Sequence, residues 1–220
     1  MKQIVSLSGG KDSTAMLLMM MERKEQIDDI VFFDWGMEFP QMYEHLDKLE
    51  QYIKHKIVRL HPEHTWDYYM YDIMKVRGPR KGEKGYGWPA FRRRWCTRIK
   101  TNTLHAFMKG TIQCIGFAID ESSRANWKAN FKYPLLEWGV TGTDALEYCR
   151  RQGFTWGGLY EHFHRVSCWH CPLQRLASLR SLRDNYPQLW KKLLEMKRKS
   201  LYPYPDYRLD KVIRESLETV

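Results

Sequence analysis

The sequence predicts an α/β protein: a doubly wound, mostly parallel sheet with a small C-terminal helical segment. Three observations carry this expectation. Short apolar runs alternate with helical patterns from Ile4 to Leu60. A glycine-rich turn, Ser8-Gly9-Gly10-Lys11-Asp12-Ser13, joins the first apolar run to the first helical pattern. Beyond Cys171 the pattern is helical only.

The elements follow in order. Ile4–Leu7 reads as strand one, and a Met-rich helix runs from about Ser13 to Glu25. Asp29–Asp34 is a buried, β-rich second strand. Pro40 opens a helix through about Lys54, a position that suits proline in a first turn. Lys56–Leu60 is strand three. Residues 77–94, rich in Gly, Pro, Arg and Lys with Tyr86, Trp88 and Phe91 interleaved, read as a mobile, strongly basic loop. Such a mix suits a nucleotide or a single-stranded nucleic acid, and equally a solvated loop. A helix starts near Cys96 and runs to about Lys109, and Gln113–Phe117 is strand four. Further helices are expected over Thr143–Gln152, Leu173–Arg183 and Pro187–Lys199.

In an open parallel sheet, ligands sit at the carboxyl ends of strands, where the glycine turn and Asp34 both lie. A glycine turn entering a helix offers backbone N–H groups and the positive end of the helix dipole to a phosphate. Asp12 or Ser13 is available to cap that helix. The turn is not a Walker A loop, because Asp12 rather than Ser or Thr follows Lys11. The chain is expected to divide into a nucleotide-binding α/β domain over 1–152 and a segment of Cys-x-x-Cys and helices over 153–220.

The formal net charge of +10 points to an anionic partner, a nucleotide or nucleic acid. No run approaches the about 20 apolar residues of a membrane span. The first strand begins too early to leave room for a signal peptide, so a cytoplasmic protein without a membrane partner is expected. Five cysteines in such a chain favour metal or redox chemistry over a disulfide framework. Cys114 and Cys149 lie in apolar contexts and read as core. Cys96, at a helix start among arginines, is expected to be thiolate-like and reactive. Cys168-Trp169-His170-Cys171 has three readings. It is half of a metal site completed by Cys96, a dithiol, or a pair of packed thiols.

Several stretches resemble one known family. Ser8–Ser13 resembles the pyrophosphate loop of the adenine-nucleotide alpha-hydrolase superfamily. Asp34-Trp35-Gly36-Met37-Glu38-Phe39-Pro40 resembles a segment of the phosphoadenosine phosphosulfate (PAPS) reductase family, with Trp35 where that family has threonine. Arg94–Lys100, Asp120–Arg124, Pro134–Trp138 and Tyr160–Pro172 are similar to further stretches of it. The resemblance implies a Rossmann-like fold that binds ATP, PAPS or a related adenine nucleotide. It implies that Ser8, Gly9, Gly10 and Ser13 hold phosphate, with Asp34, Gly36 and Glu38 also at the nucleotide. Lys11, Arg98, Lys100 and Arg124 would offset charge as the α-phosphorus is attacked. Asp12 would orient the loop or place Mg²⁺. Cys96, Cys168 and Cys171 would ligate a [4Fe–4S] cluster or zinc, with His162, His164 or His170 as a fourth ligand. The implied activity is adenylation for sulfur transfer, with a sulfur-donor protein and a nucleic-acid acceptor as candidate partners. One alternative is a sulfonucleotide reductase, against which stands the absence of cysteine after Cys171. Another is a non-catalytic nucleotide- or nucleic-acid-binding accessory protein of a mobile element or a CRISPR-associated defence system.

Overall fold

A computed structural model describes residues 1–126 and 128–217. Packing divides the chain into two compact units that interleave in sequence. The first takes Met1–Asp34, Pro40–His61 and Lys100–Gly158. The second takes Trp35–Phe39, Pro62–Ile99 and the chain from Leu159 onward.

The first unit is the α/β sheet. It is built from β1 (Gln3–Leu7), α1 (Lys11–Glu22), β2 (Asp29–Phe33), α2 (Pro40–Ile53), β3 (Ile57–Leu60), the later part of α3 (Trp95–Phe107), β4 (Ile112–Ile115), β5 (Phe131–Lys132), α4 (Pro134–Glu137) and α5 (Gly142–Arg151). All neighbouring strands pair in parallel, in the order β3-β2-β1-β4-β5. The order reverses between β1 and β4, which makes their carboxyl ends the switch point of the sheet. β1 and β2 are mainly apolar and almost wholly buried, as strands covered on both faces must be. α1 buries Thr14 to Leu18 as a continuous run because it packs against the sheet and α5 together. α2 buries Met42, His45, Leu46, Leu49 and Ile53, one stripe at helical spacing.

The α/β class and the C-terminal helices are as the sequence predicts, with shifts at element ends. α1 ends at Glu22 rather than Glu25, because Lys24 turns left-handed at φ 55°. β4 lies at Ile112–Ile115, and the helix expected over Leu173–Arg183 spans Leu176–Asn185. β5 is an added edge strand of two residues. A 3₁₀ turn, Ile119–Arg124, follows β4.

The second unit is helical and aromatic. α6 (Leu159–His162), α7 (Leu176–Asn185), α8 (Pro187–Lys199) and α9 (Arg208–Leu217) bury Leu159, Leu179, Leu182, Leu193, Leu209 and Val212. Trp35 stands edge-on to Trp66, Tyr69 and Trp95, with ring centroids 5.4–5.8 Å apart. Such edge-to-face pairs add about 0.5–1.5 kcal/mol each beyond the area that they bury. The basic loop over 77–94 differs from the expectation of a mobile segment. Its centre is buried and pinned: Tyr86 N–H donates to Tyr69 O, Gly87 N–H to Met70 O, and Trp95 Nε1–H to Gly87 O. Among the described residues, no helix is long and apolar enough to cross a membrane.

Candidate functional site

The glycine turn connects β1 to α1 at the switch point. Gly9 has φ +77°, the left-handed region that glycine enters without strain. A Cβ at Gly9 would lie 2.5 Å from Met42 Sδ, so a larger residue would have to displace that side chain. Gly10 is the N-cap of α1 and, among the described residues, no side chain caps that helix. This corrects the expected cap: the Asp12 carboxylate turns to Lys11, and the Ser13 hydroxyl donates back to Gly10 O at 3.0 Å. An uncapped helix start with glycine before it is a ready anion site. Ser8 and Ser13 brace the turn. Their hydroxyls lie 2.9 Å apart, and Ser8 N–H donates to Ser13 Oγ at 3.1 Å.

Gly116, directly after β4, faces this loop from the other side of the switch point. A Cβ there would lie 2.7 Å from Ser13 Cα. Position 116 is therefore glycine because the backbone of α1 needs the space. The sequence offered a signal for it, a glycine closing a strand, that the reading left unused.

Lys11 and Asp12 belong to a tight polar cluster. Lys11 Nζ sits 2.7 Å from Asp12 Oδ1 and donates to Gly142 O at 2.7 Å. Gly142 N–H donates to Asp120 Oδ1 at 2.8 Å. Burial raises the Asp12 carboxyl, against the lowering pull of Lys11 and with Glu121 and Asp120 adding to the rise. Lys11 is partly buried, with its ammonium held between the Asp12 carboxylate and the Gly142 carbonyl. Asp120 and Gly142 are thus site candidates that the sequence reading passed over. Arg124 is exposed, pairs with Glu121 at 2.6 Å, and lies over the Phe117 ring at 4.4 Å. Lys100 is half-buried on α3.

A second layer holds the turn from beneath. Trp156 Nε1–H donates to Gly9 O at 2.7 Å. Thr14 Oγ1 lies 3.4 Å from the same carbonyl and 3.1 Å from His45 Nε2. The His45 ring stacks on Trp156, centroids 4.5 Å apart at 27°. Trp156 is fully buried at φ +51°, a backbone state that a bulky residue adopts only when its surroundings impose it. No local pattern marks this clamp, since Gly9, His45 and Trp156 are far apart in sequence.

Burial holds the His45 imidazole neutral, lowering its pKa to about 3, and Lys48 pushes the same way. His170, fully buried in the second unit, is likewise pushed down to about 3 by burial. The unfolded chain takes up these protons near pH 6.5 and the native chain does not, so the stabilisation is complete above pH 6.5 and is lost as pH falls toward 3. Melting temperature is expected to fall between about pH 7.5 and 5, and less steeply in His45→Gln. A flat profile in wild type would contradict this.

Asp34 closes β2 and is buried; it accepts from the Tyr43 hydroxyl at 2.8 Å, which adds Tyr43 to the nucleotide-side candidates. Gly36, Glu38, Cys96 and Arg98 belong to the second unit, as do Cys168 and Cys171. Gly36 turns at φ +72° and Arg98 is exposed. Cys168 Sγ–H donates to Glu38 Oε1 at 3.4 Å. Burial raises the Cys96 thiol, with Cys171 adding to the rise, and burial raises Cys171 too. Desolvation therefore overrides the helix start, and the expected thiolate character of Cys96 is corrected. Cys114 and Cys149 are fully buried, as read. Among the described residues no group of three His, Cys, Asp or Glu side chains is placed to hold a metal ion. Cys96, Cys168 and Cys171, the expected ligands, therefore do not stand together as a cluster or zinc site.

Comparison with known proteins agrees with this geometry. Residues 2–174 match the phosphoadenosine phosphosulfate reductase domain. Two curated relatives are uncharacterized proteins of Methanocaldococcus jannaschii. MJ0066 is 28% identical over 207 residues, covering 86% of this chain and 40% of its own length. MJ0973 is 25% identical over 211 residues, covering 87% and 46%. The chain spans less than half the length of these relatives. An uncapped glycine turn at the switch point of a parallel sheet, inside a match over most of the chain, leads to one assignment: the chain belongs to the PAPS reductase-like family of the adenine-nucleotide alpha-hydrolase superfamily.

Proposed function

We propose that this protein binds ATP, or a related adenine nucleotide, with its terminal phosphates on the Ser8–Ser13 turn, and cleaves at the α-phosphorus to adenylate an acceptor. The observation that carries the proposal is the turn itself, with Gly9 at φ +77°, Gly10 as an uncapped helix start, and Gly116 allowing close approach. Backbone N–H groups of the turn and the α1 dipole hold the β- and γ-phosphates. Lys11, released from Asp12 and Gly142 O, stabilises charge on the departing pyrophosphate. Lys100 and Arg124 supply further positive charge to the same anion. Asp34 and Tyr43 stand at the end of the neighbouring strand, where Asp34 can accept from the nucleoside. Mg²⁺ would be placed by Asp12, and it would neutralise phosphate charge. The acceptor is a nucleophile whose adenylation precedes sulfur transfer, and a cytoplasmic setting with a sulfur-donor protein fits that chemistry.

The test is the fate of ATP labelled at the α- or the γ-phosphorus. Label α in AMP or an adenylated acceptor, with γ label in pyrophosphate, supports the proposal. ADP with orthophosphate would overturn it. A second reading, reduction of PAPS by a protein thiol, draws on the Cys168–Glu38 contact, a thiol beside a carboxylate that can take its proton. Sulfite released from PAPS and lost in Cys168→Ser would favour that reading.

A further inference from the structure

The second unit contains a cleft of about 210 Å³ that plays no part in the proposed reaction. It is lined by Arg80, Tyr86, Trp88, Arg93, Tyr202 and Tyr204, among others. The basic loop supplies one side and the Tyr202–Pro205 turn the other. Gly87 lets the two come together: at φ +69°, a Cβ there would lie 2.5 Å from the Tyr202 ring. Tyr202 is fixed by a hydrogen bond from its hydroxyl to Glu83 at 2.7 Å, and the Lys75 ammonium lies 4.0 Å over its ring.

Two polar groups in this wall have no explanation in the fold. The Trp88 indole nitrogen and the Tyr204 hydroxyl are sealed from solvent and, among the described residues, lack a hydrogen-bond partner. Trp88 is 4% exposed and Tyr204 7%, and their rings meet nearly edge-on with centroids 5.0 Å apart. A buried polar group left unpaired is costly, so two in one wall call for a partner that brings acceptors. The indole only donates, and burial keeps the Tyr204 hydroxyl protonated by raising its pKa, with Cys171 and Asp206 adding to the rise. Two exposed guanidinium groups line the same cleft. Arg80 is laid over the Tyr202 ring at 4.8 Å, and Arg93 is the other. Donors from four side chains, two of them cationic, match a tetrahedral dianion better than a carboxylate. Aromatic walls add a surface for a planar ring.

We propose that this cleft binds the phosphate of a nucleotide unit. Trp88 Nε1–H and Tyr204 O–H donate to phosphate oxygens after a small opening of the Tyr202–Pro205 turn, Arg80 and Arg93 balance the charge, and the Tyr86 and Tyr202 rings border the base. The nucleotide comes either free or within a single strand. The site shares no residue with the Ser8–Ser13 turn, so it stands or falls independently of the function proposed above.

The test measures three probes, inorganic phosphate, AMP and fluorescein-labelled dT10, at about 50 mM salt, where phosphate contacts are strong. Phosphate and AMP are titrated calorimetrically and dT10 by anisotropy. Each is run on the full chain and on a Gly9→Asp/Gly10→Asp background that removes nucleotide binding at the turn. Trp88→Phe and Tyr204→Phe keep the rings and remove one donor each, so a merely electrostatic surface would not feel them. Affinity for at least one probe is expected to fall about 5-fold in each, and at least 10-fold in Arg80→Ala/Arg93→Ala. Lys191→Ala/Lys192→Ala, on α8, serves as the control for general charge. Loss confined to dT10 assigns a single strand, and loss with AMP or phosphate assigns a free nucleotide. No binding by any probe, or affinities that Trp88→Phe and Tyr204→Phe both leave unchanged, would overturn the proposal.

Discussion

Replacing Gly9 and Gly10 together by aspartate is expected to abolish adenine-nucleotide binding. Three effects act at once. Gly9 sits at φ +77°, which aspartate adopts only with strain. Its Cβ would be driven against Met42 Sδ at 2.5 Å. Two carboxylates would then face the phosphates at a helix start that otherwise attracts anions. The combined loss exceeds about 3 kcal/mol, more than 100-fold in affinity. Because the Met42 contact also strains the fold, Lys11→Ala is the companion variant. Lys11 is partly buried against Asp12 and Gly142 O, so its removal should lower affinity about 10-fold or more and cost about 1–3 kcal/mol of stability, without the Met42 contact. Titration calorimetry beside a thermal melt separates the two effects. ATP affinity unchanged in both variants would remove the turn from the site.

Trp156→Phe is expected to weaken nucleotide binding without touching the nucleotide. The ring stack on His45 survives, but the 2.7 Å hydrogen bond to Gly9 O is lost. Gly9 O then keeps the weaker 3.4 Å contact with the Thr14 hydroxyl. The loss of one buried hydrogen bond costs about 1–3 kcal/mol. The turn gains freedom to leave its phosphate-binding conformation, so affinity should fall about 5- to 30-fold, with a melting temperature several degrees lower. Trp156→Ala removes the stack as well, and is expected to destabilise by about 3–5 kcal/mol. If Trp156→Phe melts lower yet binds ATP as wild type does, Trp156 serves the core and not the turn.

The sheet was legible because its central strands are mainly apolar and buried. Ile4-Val5-Ser6-Leu7 and Asp29–Phe33 cannot be solvated on either face, and Pro40 marks the next helix start. The glycine turn was legible for the same local reason. Phe131–Lys132 is too short to show alternation, and gains its strand character only from pairing with Gln113 and Cys114. α9 was missed because Leu209 and Val212, the residues it buries, stand in a charged and polar sequence. The interleaving of the two units is a tertiary fact with no local sign. The same holds for the clamp: Trp156 reads as an ordinary apolar residue until the fold brings it to Gly9. Cys96 shows the reverse error, in which a local cue of helix start and arginines was outweighed by desolvation.

The most direct measurement is the affinity ladder of ATP, ADP, AMP and PAPS for the full chain, by titration calorimetry. If the turn holds the β- and γ-phosphates, affinity falls from ATP through ADP to AMP by at least 10-fold overall, and the ladder collapses in Gly9→Asp/Gly10→Asp. AMP bound as tightly as ATP, or PAPS bound far more tightly than ATP, would contradict the account.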